Sequence, residues 1–138
     1  MSNPRICVMA TFVVLLTWGS NVFAGCSNNQ FAGSWDVVFA DGNSCRLVLD
    51  EEGLVLIDSD RSLSTCFDPF RGITTPDSGT YAVEKDCSFS FELIVEGVNV
   101  DLYGRLTPPQ QIGAGFYVLT FNRQVPIDKG SFSILPVK

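Results

Sequence analysis

Four cysteines, Cys26, Cys45, Cys66 and Cys87, and a scatter of carboxylates carry most of the chemistry this chain can offer, and histidine is absent from all 138 positions. The absence has consequences of its own. Without imidazole there is no Ser-His or Cys-His nucleophile, no histidine-bearing zinc site and no side chain whose ordinary pKa suits proton transfer near neutrality. The expectation is therefore a protein that is not an enzyme, with no catalytic residue, no metal site and no cofactor. Asp58-Ser59-Asp60-Arg61-Ser62 opens like a calcium loop, but the glycine and the later bidentate glutamate that shape such loops are missing. Asp50-Glu51-Glu52 sets like charges on a turn, which reads as solvated surface and not as a paired acid and base. No glycine-rich phosphate loop, metal-spaced cysteine pair or nucleophile elbow occurs.

What the cysteines do depends on the compartment, and the first residues bear on that. Arg5, the apolar run Ile6 to Trp18 and the small-residue exit Val22-Phe23-Ala24 predict a signal peptide over 1–24 and a mature chain over 25–138. The run is too short for a permanent span. Cys7 leaves with the leader, and an even set of four cysteines in a small exported domain predicts two disulfides. The expected location is secreted or periplasmic. Phe23-Ala24-Gly25-Cys26 also resembles a bacterial lipobox, so the alternative is an outer-membrane lipoprotein in which Cys26 carries a lipid anchor. Net charge is −6 for the whole chain and −7 without Arg5, with no basic cluster, so nucleic acid is not an expected partner.

The periodicity that must position these residues is two. Ser88–Glu96 places Phe89, Phe91, Leu93 and Val95 on one face, Val98, Val100 and Leu102 repeat the pattern, and Gly97 joins the two runs as a hairpin. Similar segments occur at Gly33–Phe39, Ser44–Glu51, Leu54–Ser64, Gly79–Asp86, Gly115–Arg123 and Gly130–Val137, with turn signals at Asp41-Gly42-Asn43 and Glu51-Glu52-Gly53. Pro108-Pro109 and Pro126 are expected between strands. No stretch predicts a helix. Eight antiparallel strands in 114 residues predict one all-β domain, an up-and-down barrel of calycin or lipocalin type, because closure removes exposed edges.

That strand order suggests the disulfide pairing. Cys45 opens the second strand and Cys66 closes the third, at one end; Cys87 follows the fourth strand at the other end, where Cys26 precedes the first. The expectation is Cys45–Cys66 and Cys26–Cys87. Alternation points Trp35, Phe39, Phe89, Phe91, Phe116 and Phe132 inward, enough ring volume to favour a filled barrel over one with a ligand cavity. The one long connection, Thr65 to Ser78, carries Phe67, Phe70 and Arg71; with Tyr81 these mark a candidate ligand mouth, or else Phe67 and Phe70 plug the barrel end.

Two family resemblances cover different halves. Phe31-Ala32-Gly33-Ser34-Trp35, Cys45-Arg46-Leu47-Val48-Leu49 and Cys66 resemble the bacterial Inh-type metalloprotease inhibitors. That resemblance implies a small barrel that inhibits a secreted protease by inserting its N-terminal segment, here Gly25, Cys26, Ser27 and Asn28 at its core, into the catalytic cleft. Gly79-Thr80-Tyr81-Ala82-Val83 through Asp86-Cys87-Ser88 is similar to repeats of allene-oxide-cyclase-like barrels, from which no catalytic residue carries over. The first functional expectation is thus a protein-binding module of protease-inhibitor type. The second is a lipocalin-like carrier of a small apolar ligand, and the third is an allene-oxide-cyclase-like enzyme.

Overall fold

In a computed structural model, the described residues are 25–57, 63–107 and 112–138. The predicted leader 1–24, the calcium-like segment 58–62 and Pro108-Pro109 lie outside the described residues. A single helical turn, α1 (Asn28–Phe31), precedes β1 (Gly33–Phe39), β2 (Ser44–Leu49), β3 (Thr65–Asp68), β4 (Gly72–Thr74), β5 (Ser78–Val83), β6 (Ser88–Val95), β7 (Val98–Thr107), β8 (Ile112–Phe121) and β9 (Val125–Pro136). They form one antiparallel sheet in the order β4-β3-β2-β1-β9-β8-β7-β6-β5. The all-β class and the antiparallel pairing agree with the periodicity; the helical turn α1, started by a Ser27–Gln30 capping box, corrects the expectation of no helix, and the layout of the sheet differs in three places.

First, nine strands are seen among the described residues instead of eight, because the connection Thr65–Ser78 is itself a hairpin. β3 and β4 flank Asp68-Pro69-Phe70-Arg71, where the Asp68 carboxylate accepts from the Phe70 N–H at 2.7 Å and the Arg71 N–H at 3.2 Å. That is the local bonding by which Asp-Pro makes turns. Second, the sheet does not close into a barrel: β4 and β5 are unpaired edges. Among its described residues, the predicted strand Leu54–Ser64 supplies single bridges, Leu49 to Val55 and Leu54 to Thr80, so Gly53–Leu56 joins β2 to β5 at one end of the roll and leaves a seam at the other. Third, Pro126 sits inside β9, opposite Thr120, where the register with β8 slips after Leu119. An irregular ladder is where a residue without an N–H is tolerated.

The two-residue turn between β6 and β7, Glu96 (φ 50°) and Gly97 (φ 77°), has both residues left-handed, the conformation that matches strand twist in tight hairpins. It pins the register that puts Phe89, Phe91, Leu93 and Leu102 inside. Trp35, Phe39 and Phe132 are buried as expected, but Phe116 is 56% exposed and stacks on Tyr103 across the outer face, with ring centroids 5.3 Å apart. The correction has a steric cause. In β8 the inward positions are Gly113, Gly115, Tyr117 and Leu119, and the glycines have no room for a side chain: a Cβ on Gly113 would sit 2.6 Å from Ile134 Cγ2 and 3.0 Å from Phe89 Cε1, and one on Gly115 would run into the Tyr103 and Gly104 backbone. Counting the parity from Phe116 therefore turns the whole strand over.

Both expected disulfides are present. Cys45 and Cys66 are direct cross-strand neighbours on β2 and β3, and Cys26 bonds Cys87 in the β5–β6 turn. Sequence separations of 21 and 61 residues correspond to roughly 3 and roughly 4 kcal/mol of lost unfolded-chain entropy. Among the described residues no helix is long and apolar enough to cross a membrane.

Because the Gly113 space is filled by Phe89 and Ile134, Gly113→Ala should lower stability by about 1–3 kcal/mol, read as a reduced urea midpoint at unchanged slope. A neutral substitution would show that this layer is loosely packed.

Candidate functional site

The two ends of the rolled sheet are built from different residues. At the end closed by Gly53–Leu56, Phe31 projects from α1 into the roll, fully buried, and stacks on Trp35 with centroids 4.7 Å apart. Phe89 lies 5.3 Å and Tyr81 6.1 Å away from it. The Trp35 indole donates to the Phe31 carbonyl at 2.7 Å, so the ring that packs against the plug also bonds its backbone. This end is solid.

The segment Gly25 to Asn28 belongs to that closed end. Cys26 is tied to Cys87 by its sulfur and donates its N–H to the Lys85 carbonyl at 3.2 Å. The Ser27 N–H is bonded to Gln30 Oε1 at 3.2 Å, Asn28 Oδ1 accepts from the Val83 N–H at 3.0 Å, and Gly25 packs against the Lys85 backbone. Lipidation of Cys26 would need the sulfur that the disulfide uses. Tyr81 is here too, buried, donating its hydroxyl to the carbonyls of Asn28 and Asp50. The structure therefore separates Tyr81 from the other three residues of the expected ligand mouth.

Those three lie at the opposite end. The interior there is lined by aliphatic side chains, Leu93 and Val95 of β6, Val98 and Val100 of β7 and Leu119 of β8, with Phe39 and the Cys45–Cys66 bridge on the facing wall. These do not meet at the centre, and a cavity of about 470 Å³ remains, open to solvent beside β4. The expected filled interior is thus found in one half only, because the large rings are concentrated at the plugged end. Phe67 and Arg71 line this opening, and Arg71 bonds Glu96 across it at 3.4 Å. Phe70, at the tip of the β3–β4 turn, is 97% exposed and does not plug the end.

Residues not singled out from the sequence complete the site. Asp41, Asp68 and Glu96 stand on the rim, and Tyr117 forms part of the wall. Tyr117 is buried; its hydroxyl reaches Asp128 Oδ2 at 3.4 Å, and its ring meets Phe39 edge-on at 5.1 Å. Burial first, then the nearby Asp41 and Asp128 carboxylates, push the Tyr117 phenol up to about 12. Tyr81 is likewise pushed up to about 12, by burial and then by Asp50 and Glu51. The Gly113-x-Gly115-x-Tyr117 run is the sequence signal that places Tyr117 inward: two inward positions without side chains precede a large inward residue that must fill the roll.

Chemically the site offers an apolar container with a polar lip. Among the described residues no group of three or more Asp, Glu or Cys is placed to hold a metal ion. In comparisons with known proteins, no family model, no curated protein and no solved structure matches the chain.

Both tyrosines bind their protons more tightly folded than unfolded. The stability this provides is complete below the ordinary pKa of 10.0 and is lost as pH rises to about 12. Denaturant midpoints should therefore fall steadily over that window, and phenolate absorbance of a Tyr81→Phe variant should lack one late-titrating component. A midpoint that stays flat over the window would contradict the burial of both hydroxyls.

Proposed function

We propose that this protein is an exported, non-enzymatic binding module that carries one small apolar ligand in the open end of its rolled sheet. The observation that carries the reading is the cavity of about 470 Å³ walled by Leu93, Val95, Val98, Val100 and Leu119. Its size lies within the usual range of small-molecule sites, and apolar walls beneath a polar, charged mouth are a composition such sites use. A shell held by two disulfides keeps such a hollow from collapsing, and preorganisation lowers the ordering cost of binding. The disulfides also favour an oxidising, extracytoplasmic location. A signal peptide over 1–24 fits the same assignment.

A neutral environment-sensitive dye such as Nile red should bind with one site and gain fluorescence. Val98→Phe or Val95→Trp, which grow into the cavity from its mouth, should each weaken binding by at least about tenfold while leaving the melting transition cooperative. Undiminished dye binding in both variants would place the ligand elsewhere and remove the carrier reading.

A second reading, recognition of a protein such as a secreted protease, is favoured by Phe70. A ring 97% exposed at the tip of a turn braced by Asp68, four residues beyond the Cys45–Cys66 bridge, has the form of a preorganised aromatic anchor. The Gly25–Asn28 tail, by contrast, is occupied in holding the closed end. If this reading holds, the protein should inhibit a secreted metalloprotease at equal stoichiometry, and Phe70→Ala should weaken that inhibition by about 2 kcal/mol or more. Equal inhibition by the Phe70→Ala variant would discard the anchor.

A further inference from the structure

The charges around the cavity mouth are unbalanced. Three carboxylates, Asp41, Asp68 and Glu96, face it against one guanidinium, Arg71, and that guanidinium is already bonded to Glu96 at 3.4 Å. A fourth carboxylate, Asp128, reaches the wall through the Tyr117 hydroxyl at 3.4 Å. Burial first, and then Asp41 and Asp128, keep the Tyr117 phenol of the wall neutral. An anionic head group entering such a mouth would meet net repulsion, and a cationic one would meet attraction strengthened by the low-dielectric wall behind it.

We propose that the ligand of this cavity is a small cationic amphiphile, with an aliphatic body held between Val95, Val98 and Leu119 and an ammonium group at the rim facing Asp41 and Asp128. The proposal rests on the carrier reading and narrows it, since an apolar container alone would take a fatty acid or a long-chain alcohol equally well. Arg71 is the residue that would greet a fatty acid, but it stands 3.4 Å from Glu96 and is outnumbered by the acids of the rim. Asp41 and Asp68, bonded to neutral N–H donors of their own turns, leave the mouth net negative and decide the sign. Because the rim acids are exposed, the preference is sensitive to salt.

The test compares dodecylamine, dodecanol and dodecanoate, each below its aggregation threshold, by titration calorimetry of the disulfide-intact protein at neutral pH and low ionic strength. The amine should bind about tenfold tighter than the alcohol, and the carboxylate more weakly than the alcohol, with the differences shrinking as salt is added. Asp41→Asn combined with Asp128→Asn should bring the amine down to the affinity of the alcohol. An acidic protein attracts cations nonspecifically, so the amine must also lose its site in the Val98→Phe variant. Alcohol binding without a preference for the amine would overturn the cationic ligand and leave the carrier reading standing. Amine binding that survives Val98→Phe would overturn it as well, by placing the amine outside the cavity. Failure of all three probes to bind would overturn both. The wild-type series decides these outcomes even if the double variant does not fold.

Discussion

The stack of Phe31 on Trp35 is the contact on which the rest of this molecule depends, because it determines where the interior volume goes. A ring on a single helical turn has no secondary structure of its own to keep it in place; it is held by the indole N–H to its own carbonyl and by the Cys26–Cys87 bridge five residues upstream. Burying a ring of this size is worth roughly 1.5–3 kcal/mol. With Tyr81, Phe89 and Phe91 gathered around it, the plug draws most of the aromatic carbon to one end of the roll. The other end has Phe39 and Tyr117 against one wall and valines and leucines on the other, which do not fill the span between them. The hollow is thus the consequence of unequal filling of the rolled sheet.

The seam follows from the same asymmetry. At the plugged end, Gly53–Leu56 fits between β2 and β5 and shares their ladder, with the Leu56 N–H on the Val48 carbonyl at 2.7 Å and the Val55 N–H on the Gly79 carbonyl at 3.0 Å. Gly53, at φ +100°, makes that close approach: a Cβ there would lie 2.8 Å from the Tyr81 carbonyl oxygen. Beyond it, β2 turns to β3 for its partner, β3 to the three-residue β4, and the chain crosses to β5 through buried Pro76. An edge this short limits pairing with a second chain, which is how natural sheets manage an unclosed margin. It also leaves the gap through which the cavity opens.

The closed end is braced by backbone bonds and by Asp86, which accepts from the Ser88 hydroxyl and amide and pairs with Arg105 at 3.0 Å; the Ser88 bonds first, and then Arg105, hold its carboxyl below the ordinary aspartate value. Those interactions stabilise a turn in which Cys87 takes a left-handed φ of 67°. At the open end Asp41 and Asp68 accept from the N–H groups of their own turns, and Glu96 pairs with Arg71.

The all-β class, the β6–β7 hairpin and both cysteine pairings were legible in the sequence, because period-two alternation and the order of cysteines along consecutive strands are local signals that survive whatever the sheet does as a whole. Nothing local distinguishes a closed barrel from a rolled sheet with a seam. That choice rests on whether two edges distant in sequence come within bonding distance, and here β4 and β5 do not. The parity of β8 was misread for a related reason: Phe116 and Tyr117 are both large and apolar, and only the glycines opposite Phe89 and Ile134 determine which of the two faces inward. Phe67 and Arg71, expected together from one long connection, do lie at one end of the roll, whereas Tyr81, expected beside them, is at the other end because it belongs to β5 and packs against the Phe31 plug. Sequence by itself thus determined the strands and the staples, through the chemistry of neighbouring residues. Only the tertiary structure decided which half of the interior is empty, since an empty space is set by the summed volumes of side chains that meet only after the sheet has rolled.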